Sequence, residues 1–421
     1  MTLLPMMQRG FSVAHRAVHV SRQKSGSGLQ KSDAQAYSSF ALETNNQRPM
    51  QADLPAQAPL QTVSVSNGEP LPASARPNSL ERMPKWLICI PLALQWLGLA
   101  LRYRSLTLPS AANPAITSGG LVGEGKLEYF AGMGPVAREA TALYCAVSTA
   151  CLLPDGQLHT MLRDAGLDFP LIAKPDLGLC GHGVRRIGGM GELQVYLTVF
   201  PRDETVVLQQ YLPQDGEAGI FYARDPLDGE SRIIGLTLRY FPQVTGDGHQ
   251  SLAQLIAADP RACRLVSSRR HQCTHNGHRV PAAGELVRLA TVGSTRVGGL
   301  YRDGGTHITP ELTRAMDAIA RDMPLFHFGR FDVRFNSLRE LRAGTGFTIM
   351  EVNGAGSEAI QAWDPETKLL DGFRMIFAKQ RLVFAIGDAM RRTGFKPIGL
   401  LALMRLNLRQ QRLIAAYPPS N

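Results

Sequence analysis

Disulfide scaffolding is missing from this chain. Its six cysteines, Cys89, Cys145, Cys151, Cys180, Cys263 and Cys273, are scattered through 421 residues and form no framework, which points to a reducing compartment. No internal repeat occurs, so a solenoid is excluded. No aromatic–glycine RNA-binding signature and no DNA-reading helix is found, so nucleic acid is not an expected partner. No acid precedes Asp33, although Arg9, Arg16, Arg22, Lys24 and Lys31 do. That pattern resembles a transit peptide. The plainer reading, a floppy tail or a start at Met83, is preferred because composition alone is weak support.

The totals fit an ordinary soluble protein. Hydrophobic residues make up 44% and charged residues 19%, and the chain is long enough for two or three compact units. The net charge of +10 favours anionic partners: nucleotide phosphates or an anionic membrane face.

Residues 1–82 are rich in Ser, Gln, Pro and Ala, lack periodicity and read as disordered. Residues 83–104 contain an uncharged run, Trp86 to Leu101, flanked by Arg82 and Lys85 before it and Arg102 and Arg104 after it. The run falls short of the ~20 apolar residues a bilayer core requires, and it contains Pro91 and Gln95. It suits an interfacial anchor or a helix packed on the body. Residues 105–165 form a small region with helices expected over Tyr129–Leu153 and Leu158–Ala165. Strand-like runs follow at 171–174, 184–187, 206–210, 220–223, 233–240, 327–335 and 347–352, with a helix opened by Thr309 and Pro310. Strands joined by short turns and mixed with helices predict an α+β fold over residues 166–370. Residues 371–421 read as a basic helical extension. Its cations, among them Arg391, Arg392, Lys396, Arg405, Arg409 and Arg412, are expected to form a solvated face.

The sharpest chemistry lies in Gly329-Arg330-Phe331-Asp332-Val333-Arg334-Phe335 and Phe347-Thr348-Ile349-Met350-Glu351-Val352-Asn353. Strand alternation puts Arg330, Asp332 and Arg334 on one face, and Glu351 with Asn353 on one face. Antiparallel pairing would set Asp332 within ~5 Å (Cβ–Cβ) of Glu351. Two such carboxylates repel unless a cation lies between them, and hard oxygen donors suit Mg²⁺ or Mn²⁺. Arg330 could neutralise phosphate charge there. A second signal is Lys174 at the end of an apolar strand, followed by Gly178, Gly181, Gly183 and a further strand. Strand, glycine loop, strand is a phosphate flap, not a dinucleotide fingerprint, which needs a helix after the loop.

Together these segments resemble the ATP-grasp superfamily, in particular its D-alanine–D-alanine ligase and cyanophycin synthetase-like members, over roughly residues 126–358. The resemblance implies two α+β subdomains gripping ATP. It implies that Lys174 contacts the α/β-phosphates under the Gly181 and Gly183 flap, and that Lys126 is an earlier ATP lysine. Val207 to Leu212 would be the adenine hinge, with Gln210 and Leu212 offering backbone groups and Gln209 standing where the family often carries an acid. Glu217 would hold the ribose. Arg239 and Arg330 would act on the transferring phosphate, and Asp332, Glu351 and Asn353 would bind the metal. The implied reaction activates a small-molecule carboxylate as an acyl phosphate and couples it to an amine, with ATP and Mg²⁺ or Mn²⁺ required. A departure is that only about sixty residues separate Arg104 from Leu171, too few for the full α/β domain related ligases carry there.

A cytoplasmic protein, at the inner face of a membrane if the Trp86 segment meets lipid, is expected. Homo-oligomerisation is left open. The rival reading is a non-catalytic, membrane-tethered ATP-binding module. A zinc site of His271, Cys273, His275 and His278 is disfavoured by the flanking Arg269, Arg270 and Arg279.

Overall fold

The structure is a computed structural model that describes residues 77, 79–267 and 277–421. The tail assigned to disorder falls almost wholly outside the described residues, as do His271, Cys273 and His275.

Eleven strands and nine helices are used below. The strands are β1 (Tyr144–Ser148), β2 (Leu171–Pro175), β3 (Arg185–Ile187), β4 (Thr205–Gln210), β5 (Gly216–Arg224), β6 (Ser231–Tyr240), β7 (Gln243–Thr245), β8 (Leu286–Arg288), β9 (Leu300–Asp303), β10 (Phe328–Phe335) and β11 (Phe347–Asn353). The helices are α1 (Lys85–Tyr103), α2 (Lys126–Ala131), α3 (Pro135–Glu139), α4 (Asp155–Asp164), α5 (Met190–Val199), α6 (Leu252–Ala258), α7 (Pro310–Arg321), α8 (Leu369–Arg392) and α9 (Leu400–Ala416).

Strand pairing makes two main antiparallel sheets, a four-stranded one in the order β1-β4-β2-β3 and a five-stranded one in the order β11-β10-β5-β6-β9, plus the ribbon β7-β8. The fold is therefore α+β, with helices packed on antiparallel sheets. The larger sheet buries Ile220, Leu236, Phe331, Val333 and Val352 against Leu312, Met316 and Ile319 of α7. Helix α7 starts where the sequence predicts: the Thr309 hydroxyl accepts from Leu312 N at 3.1 Å and Pro310 occupies the first turn. The smaller sheet has its own core, in which Leu171, Ala173, Val206 and Leu208 meet Leu158 and Leu162 of α4 and Leu193 and Tyr196 of α5. A third core joins α1, α8 and α9 through Leu99, Val383, Phe384 and Leu403.

One expectation is corrected. Tyr129–Leu153 is not one helix; it breaks into α2, α3 and β1. Gly132, Gly134 and Pro135 interrupt the helical ladder, and β1 takes its hydrogen bonds from β4, with Tyr144 opposite Gln209 and Ser148 opposite Thr205. Pairing energy from a distant strand outweighs local helix preference there.

Candidate functional site

The β10–β11 hairpin sets Asp332 opposite Glu351 and Arg330 opposite Asn353, as the pairing expectation requires, with a register shift between Asp332 and Val333 that skips Met350. Across the other edge of β10, Asp332 faces Gly219 of β5, which in turn faces Thr237 of β6. Gly219 explains how the site assembles. A Cβ there would come within 3.1 Å of Arg330 Cδ and 3.3 Å of Arg239 Nη2, so the missing side chain leaves room for Arg239 to reach from β6 to β10.

Asp332 is 3% exposed, and its carboxylate is surrounded. Arg239 Nη2 donates at 2.6 Å, Arg330 Nε at 2.7 Å, Arg330 Nη2 at 3.1 Å and Asn353 Nδ2 at 3.2 Å. Burial alone would raise the carboxyl's pKa; the two guanidinium groups outweigh it and hold the value at about 2. Glu217, opposite Arg239 in the ladder, is buried between Arg239 at 3.1 Å and Arg334 at 3.4 Å.

The smaller sheet contributes two lysines to the same region. Lys174, on β2, donates to Gln209 Oε1 at 2.7 Å and to the Met350 carbonyl at 2.9 Å, next to Glu351. Gln209 Nε2 reaches the same carbonyl at 3.2 Å, so both side chains tie β2 and β4 to β11. Burial lowers the Lys174 pKa to about 7, assisted by nearby Lys126 and opposed by Glu351. Lys126, at the start of α2, lies 3.4 Å from Glu351 and donates to the carbonyls of Pro175 and Asp176 at 3.0 and 3.2 Å. Asp176 fixes this helix start by accepting from Leu127 N at 2.8 Å. Five cationic side chains (Lys126, Lys174, Arg239, Arg330, Arg334) thus share one neighbourhood with three carboxylates (Glu217, Asp332, Glu351).

Gly181 and Gly183 adopt φ of +71° and +74° in the loop joining β2 to β3, a backbone region that favours glycine. A strand follows the loop, as the flap reading requires. Residues 211–215 connect β4 of one sheet to β5 of the other. Within that hinge Leu212 is buried, and the Gln210 N–H is engaged by the Leu143 carbonyl at 2.9 Å.

Among the described residues no group of three or more His, Cys, Asp or Glu side chains is arranged to hold a metal ion. Apart from Glu217, which Arg239 and Arg334 hold, the hairpin's oxygen donors are Asp332, Glu351 and the Asn353 amide. Such a set fits Mg²⁺ held jointly with phosphate oxygens and does not fit an all-protein cage.

Sequence reasoning passed over several residues here. Glu124, half-buried near Lys126 and Glu351, has its pKa raised by desolvation to about 7, and its buried Oε2 has no hydrogen-bond partner. Lys379, on α8, donates to the Ala355 carbonyl at 3.0 Å just beyond Asn353, and burial lowers its pKa to about 7. Gly119 and Gly120 cross Gly354-Ala355-Gly356 so closely that Ala355 N donates to Gly119 O at 3.1 Å and Gly356 N to Gly120 O at 2.7 Å. The Ser118-Gly119-Gly120 run was the available signal for this crossing.

No family model matches the chain, and no curated protein matches it. Among solved structures, the chain is similar to a bifunctional glutathione synthetase from Pasteurella multocida, at 17% identity over 58% of this chain and 35% of that one, with a TM-score of 0.31. It spans about a third of that protein's length. A D-alanine–D-alanine ligase from Bacillus anthracis matches at 14% identity over 66% of this chain and 72% of that one, with a TM-score of 0.35. The VanG D-Ala:D-Ser ligase from Enterococcus faecalis matches at 12% identity over 64% of each chain, with a TM-score of 0.35.

Proposed function

We propose that this chain is an ATP-grasp ligase. It binds Mg-ATP between its two main sheets, phosphorylates a small-molecule carboxylate and couples the resulting acyl phosphate to an amine. One observation carries the reading: Lys126 and Lys174 from one side and Arg239, Arg330, Asp332 and Glu351 from the other converge on one spot, and Gly178 of the glycine loop lies against Lys126 Nζ.

The roles follow from charge and position. Lys126 and Lys174 neutralise phosphate oxygens, and the buried Lys174 regains its full charge when a polyanion replaces the lost solvation. Arg239 and Arg330, held by Asp332, are preorganised donors for charge that develops during phosphoryl transfer. A metal ion bound by Asp332, Glu351 and Asn353 together with the nucleotide would supply Lewis-acid neutralisation of the phosphates. The Gly181–Gly183 loop covers the phosphates and keeps water from competing with the amine. Gln209 fixes Lys174, Gln210 and Leu212 line the hinge, and Glu217 holds Arg239 in position as well as facing the nucleotide side of the sheet.

The test is ADP release by the full chain with Mg-ATP and pools of amino acids, dipeptides and polyamines. A carboxylate and an amine together should stimulate release, and Asp332→Ala or Glu351→Ala should lower it by about 10³-fold. ATP binding without ADP release in any pool would instead make the chain a nucleotide-binding module.

A further inference from the structure

Among the described residues, nothing covers the outward face of helix α1. Trp86, Leu87, Ile90, Leu94, Leu97 and Leu101 are all exposed, Leu94 by 65% and Leu101 by 81%. Five of them are spaced four, four, three and four residues apart, which is one stripe of a 3.6-residue helix. No charged side chain interrupts the helix between Lys85 and Arg102.

The opposite face is fastened along the body. Ile88 and Leu99 are buried, Gln95 Nε2 donates to the Phe377 carbonyl of α8 at 2.8 Å, and the Trp96 ring meets Phe384 edge-on at 4.9 Å. A helix held this way along its length lies on the molecule, so the stripe is a surface and not a span. Helix α9 shares the same core through Leu403 and exposes Leu400, Leu401, Met404 and Leu408, with Arg405 and Arg412 exposed beside them. An apolar stripe of this kind along one helix marks a contact site.

Charge selects the occupant. Exposed Arg82 and Lys85 stand at one end of α1, and exposed Arg102 and Arg104 at the other. The acid nearest the first end, Glu81, is already buried against Arg261 and Arg264. At the second end a cavity of about 620 Å³ opens among α1, the β5–β6 turn and α8; six arginines, including Arg102, Arg104 and Arg232, outnumber the three acids Asp225, Glu230 and Asp388 in its lining. Asp388 pairs with Arg391 and Arg392; Arg102, Arg104 and Arg232 have no ion-pair partner among the described residues. Two copies face to face would set these cations against each other. An anionic lipid surface satisfies both halves of the patch, with acyl chains meeting the stripe and phosphates meeting the arginines.

We infer that α1, with the first turns of α9, docks the protein on the surface of a bilayer containing anionic phospholipid. The arginine-lined cavity takes a headgroup phosphate and the Leu94–Leu101 stripe enters the headgroup–acyl boundary. Neither surface belongs to the nucleotide site, so the inference stands or falls separately from the proposed reaction.

The test is flotation of the full chain with phosphatidylcholine vesicles containing about one third phosphatidylserine, against phosphatidylcholine alone. The protein should float with the anionic vesicles and bind the neutral ones about tenfold less, with binding falling as salt rises. Leu94→Glu with Leu97→Glu, and separately Arg102→Glu with Arg104→Glu, should each lower binding about tenfold while the thermal midpoint stays unchanged. If the leucine variant unfolds, the arginine variant carries the test. Failure of the wild type to float, equal binding to both vesicle types, or variants that bind like wild type would overturn the inference. So would a concentration-dependent dimer that the leucine variant makes monomeric without any change in flotation, since the face would then belong to a second copy.

Discussion

Replacing Lys174 by Met should make the nucleotide-free protein more stable and unable to bind ATP. The wild-type ammonium is buried, and its pKa falls from 10.5 to about 7. A lysine whose pKa drops on folding costs stability wherever the unfolded chain is protonated, and most where the folded one is protonated too. The cost is fully present below pH 7, where folding must bury a charge. It is relieved as pH rises from about 7 to 10.5, the window set by the folded and unfolded values. At about 1.4 kcal/mol per pKa unit, the penalty near neutrality is on the order of 4 kcal/mol. Methionine removes it but leaves Gln209 Oε1 without its donor, at a cost of about 1–3 kcal/mol. The Met350 carbonyl keeps its bond from Gln209 Nε2. The expected net gain at pH 7 is about 1–3 kcal/mol. Urea unfolding of metal-free and nucleotide-free protein from pH 6 to 9 measures it. Wild-type stability should climb with pH above about 7, and the variant should lose about half of that slope, the rest coming from Lys379, whose pKa burial also lowers to about 7. A variant less stable than wild type at pH 7, or one with the same slope, would refute the claim that burial of this charge is the dominant cost.

Two further outcomes follow from the same geometry. ATP binding should draw protons from solution, about one per site near pH 8, because a phosphate raises the Lys174 pKa again. Calorimetry in buffers of differing ionisation heat reads that uptake, and Lys174→Met should abolish it. Gly354→Ala would put a Cβ 2.6 Å from Gly119 O and 2.7 Å from Gly120 Cα, both backbone atoms that cannot swing aside. It should cost about 1–3 kcal/mol in denaturant and lower turnover, because the segment leaving Asn353 must move.

The hairpin was legible in the sequence because both strands obey a two-residue period, but the register shift between Asp332 and Val333 that brings Asp332 opposite Glu351, rather than Met350, was not. The seven anticipated strand runs are all present because each combines apolar alternation with flanking turn residues. What was not legible depends on partners far away in the chain. Strand β1 exists because β4 lies beside it, whereas the local sequence reads as helix from Tyr129 to Leu153. The place of Gly219 is invisible without knowing that Asp332 lies across from it and that Arg239 must pass. Lys379 comes from α8, beyond the segment whose pattern drew attention, and reaches Ala355 only through packing of that helix. The apolar run at Trp86 showed two readings in the sequence, and the fold gives it both a buried face and an exposed one.

Equilibrium binding of ATP to the full chain, with magnesium or with EDTA, addresses the converging site most directly. The wild type should bind saturably and about tenfold more tightly with magnesium, and Glu351→Gln should bind with little metal dependence. Absence of saturable binding, or equal affinity with and without the metal in the wild type, would contradict the account.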